Sequence, residues 1–170
     1  MKKEKLREMT VSAVLAAAVV ITTGYILHIP LPTGGYIHVG DALIYLSACL
    51  LPMPWAMLTG AVGGAVADLL TAPIWAIPTF LIKAVICLPF TRKSSRIICW
   101  RNIAAVVISG ILSPILYACV NVILTQTWSA FLPQLIGTLI QSAGSGVVFI
   151  LLAFGCDRVA LKNRIFPYQK

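Results

Sequence analysis

The chain has 170 residues, 59% of them hydrophobic and only 11% charged, where soluble domains carry roughly 25% charged residues. So few charges cannot clothe a water-facing surface, which excludes a soluble enzyme, a disordered tail and a disulfide-stapled secreted module. The net charge of +8 does not point to nucleic acid, because the basic residues lack a continuous surface with base-stacking aromatics.

In chain order, residues 1–8 are charged and 9–27 are apolar, longer than a signal peptide's apolar core and followed by more apolar segments. This predicts a retained first span. Prolines and glycines in IPLPTGG (29–35) break it. A short second span is predicted at 38–52, a third at 55–72 and a fourth at 75–90. A basic loop at 91–101 precedes a fifth span at 102–124 and a sixth at 131–156. The expected fold class is an all-α membrane protein, one domain over 1–170, formed by a bundle of six transmembrane helices.

Charge placement sets the expected orientation. Lys2, Lys3, Lys5 and Arg7 open the chain, Arg92, Lys93, Arg96 and Arg101 share one loop, and Arg158, Lys162, Arg164 and Lys170 close it. Lys and Arg collect on cytoplasmic flanks, so six spans put both termini and the basic loop inside. The loops at 28–37, 72–77 and 125–130 then fall outside and carry no Lys or Arg. The second span is the weak point: roughly 21 Å of helix against a hydrocarbon core of about 30 Å needs local thinning or shielding by neighbours.

Polar residues inside spans are informative, because a mid-bilayer charge costs roughly 2.5–3.5 kcal/mol. Folding the third and fourth spans into a hairpin about residues 74–76 brings Asp68 and Lys83 to one depth, where they can meet. They are expected either to lock the hairpin as an ion pair or to line an outward-open pocket, and one arrangement can do both. Gly60 and Gly64 share a face with Asp68, and close helix packing is the expectation for them. Ala13 and Ala17 form a small-residue strip on the first span, suited to packing inside the bundle or to docking against another membrane protein. The five cysteines show no C-x-x-C spacing and read as small buried hydrophobes.

The stretch PTGGYIHVGDALIYL (32–46) concentrates polar groups at the outer mouth. His38 and Asp41 lie three apart, thin evidence for a metal, and Asp41 is equally placed to cap a helix. Tyr36, Trp75 and Trp128 sit in outer loops, as interfacial anchors or as ligand-stacking rings. Tyr117, Asn121, Thr138 and Gln141 on the last two spans would complete a polar cavity with Asp68 and Lys83. No nucleotide-phosphate loop, H-E-x-x-H or paired carboxylates occur, so no enzyme chemistry and no cofactor are expected. A stand-alone channel or secondary carrier remains an alternative, although inverted repeats are not evident.

With Ala13-x-x-x-Ala17, P-x-G-G-Y-I-H-x-G-D at 32–41, and A-D-L-L followed by P-T-F-L-I-K from Ala67 to Lys83, the chain resembles the substrate-binding S component of energy-coupling factor (ECF) vitamin transporters. The likeness extends over essentially the whole length and is nearest the hydroxymethylpyrimidine and pyridoxine subgroup. It implies a subunit of a bacterial cell membrane importer that takes up a small heteroaromatic vitamin or precursor. It also implies a membrane coupling subunit docking on Ala13 and Ala17, two cytoplasmic ATPases as partners, and a substrate-capping loop containing Tyr36 and His38. That subgroup carries Tyr-x-x-x-Glu on its fifth helix and Asn-x-x-Gln on its sixth. This chain has Tyr117 with Asn121 and Thr138 with Gln141, so its ligand is expected to differ. A Met1-Lys2 start departs from the Met-His terminus of nickel and cobalt relatives.

Overall fold

The computed structural model describes residues 2–26, 29–30 and 36–166. Most of the 29–35 break and Lys170 lie outside the described residues, as do the side chains of Lys2 and Tyr36. The helices are α1 (Lys2–Gly24), α2 (Asp41–Leu50), α3 (Met53–Thr71), α4 (Ala76–Val85), α5 (Trp100–Thr125), α6 (Phe131–Arg158) and α7 (Leu161–Ile165). Two-residue strands β1 (Ile29–Pro30) and β2 (Tyr36–Ile37) pair antiparallel between α1 and α2.

Four helices, α1, α3, α5 and α6, are long and apolar enough to cross a membrane, whereas α2 and α4 are shorter. The predicted six spans thus resolve into four long helices and two short ones. The shortness of α2 has a physical answer. All of its residues except Leu43 are buried, so protein surrounds it and it need not match the bilayer thickness. Tyr45 on α2 stacks on Phe90 at 5.0 Å and meets Phe149 of α6 edge-on at 5.9 Å. By contrast α4 turns Ile77, Phe80, Leu81 and Val85 outward.

Prolines and left-handed residues set several boundaries. Pro52 precedes α3 and Pro54 lies in its first turn, where a missing N–H costs nothing. Gln126 (φ 54°) ends α5, and Ala160 (φ 50°) separates α6 from α7.

Small residues bring α1, α3 and α4 close together. Ser12 and Thr59 share a hydrogen bond of 2.8 Å. A Cβ at Gly63 would lie 2.9 Å from Val19 Cβ and 3.0 Å from the Ala16 carbonyl oxygen, and one at Gly60 2.9 Å from the Lys83 carbonyl oxygen. Backbone cannot step aside as a side-chain tip can. Gly60→Ala is therefore expected to destabilise by about 1–3 kcal/mol, read as a lower thermal midpoint in detergent. Gly144→Ala is the control, since its added Cβ meets nothing within 4 Å, and it should not lower the midpoint.

The three basic clusters converge on one end of the bundle. Arg92 bridges to Glu8 at 2.9 Å, and Arg7 donates to the Ile165 carbonyl at 2.9 Å. The Lys162 ammonium donates to the carbonyls of Arg92 and Ser94, and burial holds it below the ordinary lysine range. Asn102 binds both the N–H and the carbonyl of Thr91. The start of α1, the 91–101 loop and α7 are tied together there.

Candidate functional site

A cavity of about 430 Å³, its open mouth included, lies in the half of the bundle away from the basic end. Thr23 comes from the end of α1, His38 from just before α2, and Gly64 and Asp68 from α3. Trp75, Thr79 and Lys83 contribute from the α4 segment, Tyr117 from α5, and Gln134, Thr138 and Gln141 from α6.

The deepest feature is an ion pair. Lys83 Nζ lies 2.5 Å from Asp41 Oδ1, with both side chains almost wholly buried. Gln141 Nε2 donates to the other Asp41 oxygen at 3.4 Å, and the Lys83 ammonium stands 5.1 Å from the centre of the Tyr117 ring. This corrects the expected Asp68–Lys83 pairing: Asp68 lines the cavity, but the ion pair of Lys83 is with Asp41. The reason lies in α2. Being short and enclosed, it starts well inside the bundle, so its first residue meets Lys83 instead of facing the mouth. The expected capping role of Asp41 also gives way, since Gly40 occupies the cap position with no side-chain bond.

Above the pair, Tyr117 and Thr79 share a hydroxyl hydrogen bond of 2.8 Å. The Trp75 ring lies 5.8 Å from that of Tyr117 and is only 7% exposed. Trp75 is therefore a wall of the cavity, whereas Trp128 is 81% exposed. On α6, Gln134 Nε2 donates weakly to Thr138 Oγ1 at 3.4 Å. Gln134 Oε1 is buried with no hydrogen-bond partner among the described residues. An unsatisfied buried acceptor costs free energy unless a ligand or water meets it.

The other sequence candidates divide. His38 Nδ1 accepts the Gly40 N–H at 3.0 Å, and Ser145 Oγ donates to the His38 carbonyl at 3.3 Å, fixing that stretch against α6. Asn121 does not line the cavity; its amide donates to the Ala130 carbonyl at 3.2 Å and closes the α5–α6 connection. The Tyr36 side chain lies outside the described residues. Ala13 and Ala17 are exposed along α1, while the neighbouring Ser12 packs on α3. Gly64, read from the sequence as packing, both packs against Lys83 and lines the cavity. Sequence reasoning missed Thr23, Thr79 and Gln134. The row Gln134, Thr138 and Gln141 falls on one helical face and held the signal for Gln134; Thr23 offered none.

A family model described as "ECF-type riboflavin transporter, S component" matches residues 3–158. A curated protein of Pyrococcus woesei, described as "Uncharacterized protein in gap 3'region", is 40% identical over 67 residues, which is 39% of this chain and 45% of that relative. The chain thus spans less than half the length of that relative. The matched family is of the riboflavin type, which revises the hydroxymethylpyrimidine and pyridoxine subgroup. The departures at Asn121 and Thr138 already pointed away from that subgroup. The chain belongs to the family of ECF-type riboflavin transporter S components, non-catalytic, multi-pass membrane subunits that bind a substrate.

Proposed function

We propose that the chain captures riboflavin, or a flavin close to it, at the cavity beneath Trp75 and passes it inward through an ATP-driven partner complex. The observation that carries this reading is the cavity itself: two aromatic rings, Trp75 and Tyr117, beside a convergent set of neutral hydroxyl and amide groups from α4, α5 and α6. Rings suit a flat heteroaromatic system, and the hydroxyls and amides suit its ring heteroatoms and polyol chain. The family description supplies the flavin. Lys83 and Asp41 neutralise one another, so their pair adds dipole without net charge.

Orientation follows from charge. The basic end, where Lys and Arg converge, lies in the cytoplasm with both termini, and the cavity opens outside. On this reading Trp128 anchors at the outer interface. The exposed strip of Ala13 and Ala17 meets the membrane coupling subunit, and two cytoplasmic ATPases drive release.

Purified protein titrated with riboflavin should quench flavin fluorescence saturably at one ligand per chain, with neither pyridoxine nor hydroxymethylpyrimidine displacing it. Absence of quenching, or displacement by pyridoxine, would overturn the flavin assignment. Gln134→Leu should weaken binding about tenfold if its amide oxygen accepts from the ligand, a loss near 1.4 kcal/mol. Isothermal titration of the variant checks this, and unchanged affinity removes Gln134 from the site.

A further inference from the structure

A second concavity, at the basic end, has no part in the site above. It encloses about 710 Å³, counting space open to solvent, and is lined by Arg96, Ile98, Phe154, Asp157 and Arg158. Two guanidinium groups from different elements, the 91–101 loop and the last turn of α6, thus share one hollow. Both arginines are exposed, and neither has an ion pair among the described residues.

The neighbouring carboxylate is already committed. Asp157 accepts the Ile97 N–H at 2.8 Å on one oxygen and the Ile98 N–H at 2.9 Å on the other. These bonds fix the loop over the end of α6, next to the residue that carries the Arg96 guanidinium. They also occupy the acid that would otherwise pair with an arginine. The Arg158 guanidinium lies 4.8 Å from the centre of the Phe154 ring, which holds it beside the apolar edge.

An apolar track leads away from the two arginines. Val147, Leu151, Phe154 and Arg158 recur at helical spacing along one face of α6. The three apolar members are 60%, 68% and 53% exposed. A cationic hollow at the end of an exposed apolar row matches a molecule with an anionic head and a hydrocarbon tail. We propose that this concavity is a binding site for an anionic phospholipid. Its phosphate bridges Arg96 and Arg158, and an acyl chain runs along Phe154, Leu151 and Val147. Basic pockets beside membrane helices recognise anionic headgroups in this way, and guanidinium groups fit phosphate oxygens in pairs.

The test uses the full chain, purified in a neutral detergent, with lipid retention read by native mass spectrometry. Dioleoyl phosphatidylglycerol and dioleoyl phosphatidylcholine are offered at equal concentration. The expected result is one retained phosphatidylglycerol per chain in clear preference to phosphatidylcholine. Arg96→Gln and Arg158→Gln should each lower phosphatidylglycerol affinity about fivefold, and Lys93→Gln, in the same loop but outside the hollow, should not. Equal retention of both lipids overturns the proposal. So does an equal loss with Lys93→Gln, which would mean a diffuse basic field. Inorganic phosphate at millimolar concentration separates a lipid site from a free-anion site: if it displaces the lipid completely, the apolar track contributes nothing and the proposal fails. If the arginine variants retain lipid normally yet lose transport in the assembled complex, the hollow serves a protein partner and the proposal is likewise overturned.

Discussion

Lys83→Met is expected to be the most damaging single substitution in the cavity. Lys83 is 1% exposed and Asp41 is 0% exposed, and their contact is 2.5 Å. Removing the ammonium leaves a carboxylate in the core of the bundle whose remaining side-chain hydrogen bond among the described residues is the 3.4 Å one from Gln141. Breaking one half of a buried pair costs about 3–5 kcal/mol, most of it the burial of the uncompensated partner. For a chain of this size that lowers the thermal midpoint by roughly 6–20 °C. The double variant Lys83→Met with Asp41→Asn removes both charges and should recover most of the loss, because a neutral amide can still receive Gln141. The two roles open for Lys83, brace and ligand contact, separate here. If the double variant folds but binds riboflavin weakly, the ammonium touches the ligand as well as the acid. If it binds normally, the pair only holds α2 against α4. A single variant as stable as the wild type would show that the pair is solvated, contrary to its burial.

The sequence displayed the four long apolar helices, the basic end and most of the cavity walls, for a physical reason. Each rests on a local signal: apolar length, lysine and arginine clustering, or a polar residue where hydrocarbon penalises one. Lys83, Thr138 and Gln141 stood out because a polar group inside a span is costly unless it has a partner. The partner of Lys83 was not legible. Hairpin geometry ranks neighbours along the chain, and Asp68 is near in that sense, whereas Asp41 reaches Lys83 only because α2 is enclosed. Enclosure is a property of the packed bundle. Trp75 and Trp128 make the same point: both sit in short connections at the end away from the basic clusters, yet one is buried against Tyr117 and the other is exposed. Asn121 carried the signature of a site residue, but its amide closes a turn. Gln134, in the first turn of α6, sat close enough to a predicted span end to pass for an interfacial residue.

Ala17→Trp is expected to abolish uptake while leaving ligand capture intact. Ala13 and Ala17 are exposed on α1, and the adjacent face of the same helix carries Ser12 and Val19 into α3. A large ring at position 17 therefore projects away from the bundle and does not disturb the α1–α3 contact. It does remove the flat strip that lets a second helix approach closely, and in a bilayer such approach supplies much of the association energy. The cavity-lining residue on α1 is Thr23, near the opposite end of that helix, so affinity for riboflavin should stay within a factor of about two. Transport in cells containing the complete importer should fall to background, and the coupling subunit should no longer co-purify. Ala13→Trp should act alike. The contrasting control is Ile111→Trp on α5, an equally bulky change at an exposed apolar position away from the strip, which should leave transport intact. If the α1 variants lose riboflavin binding in parallel with uptake, the strip belongs to the fold and not to a docking surface. If they transport normally, the partner meets another face of the bundle.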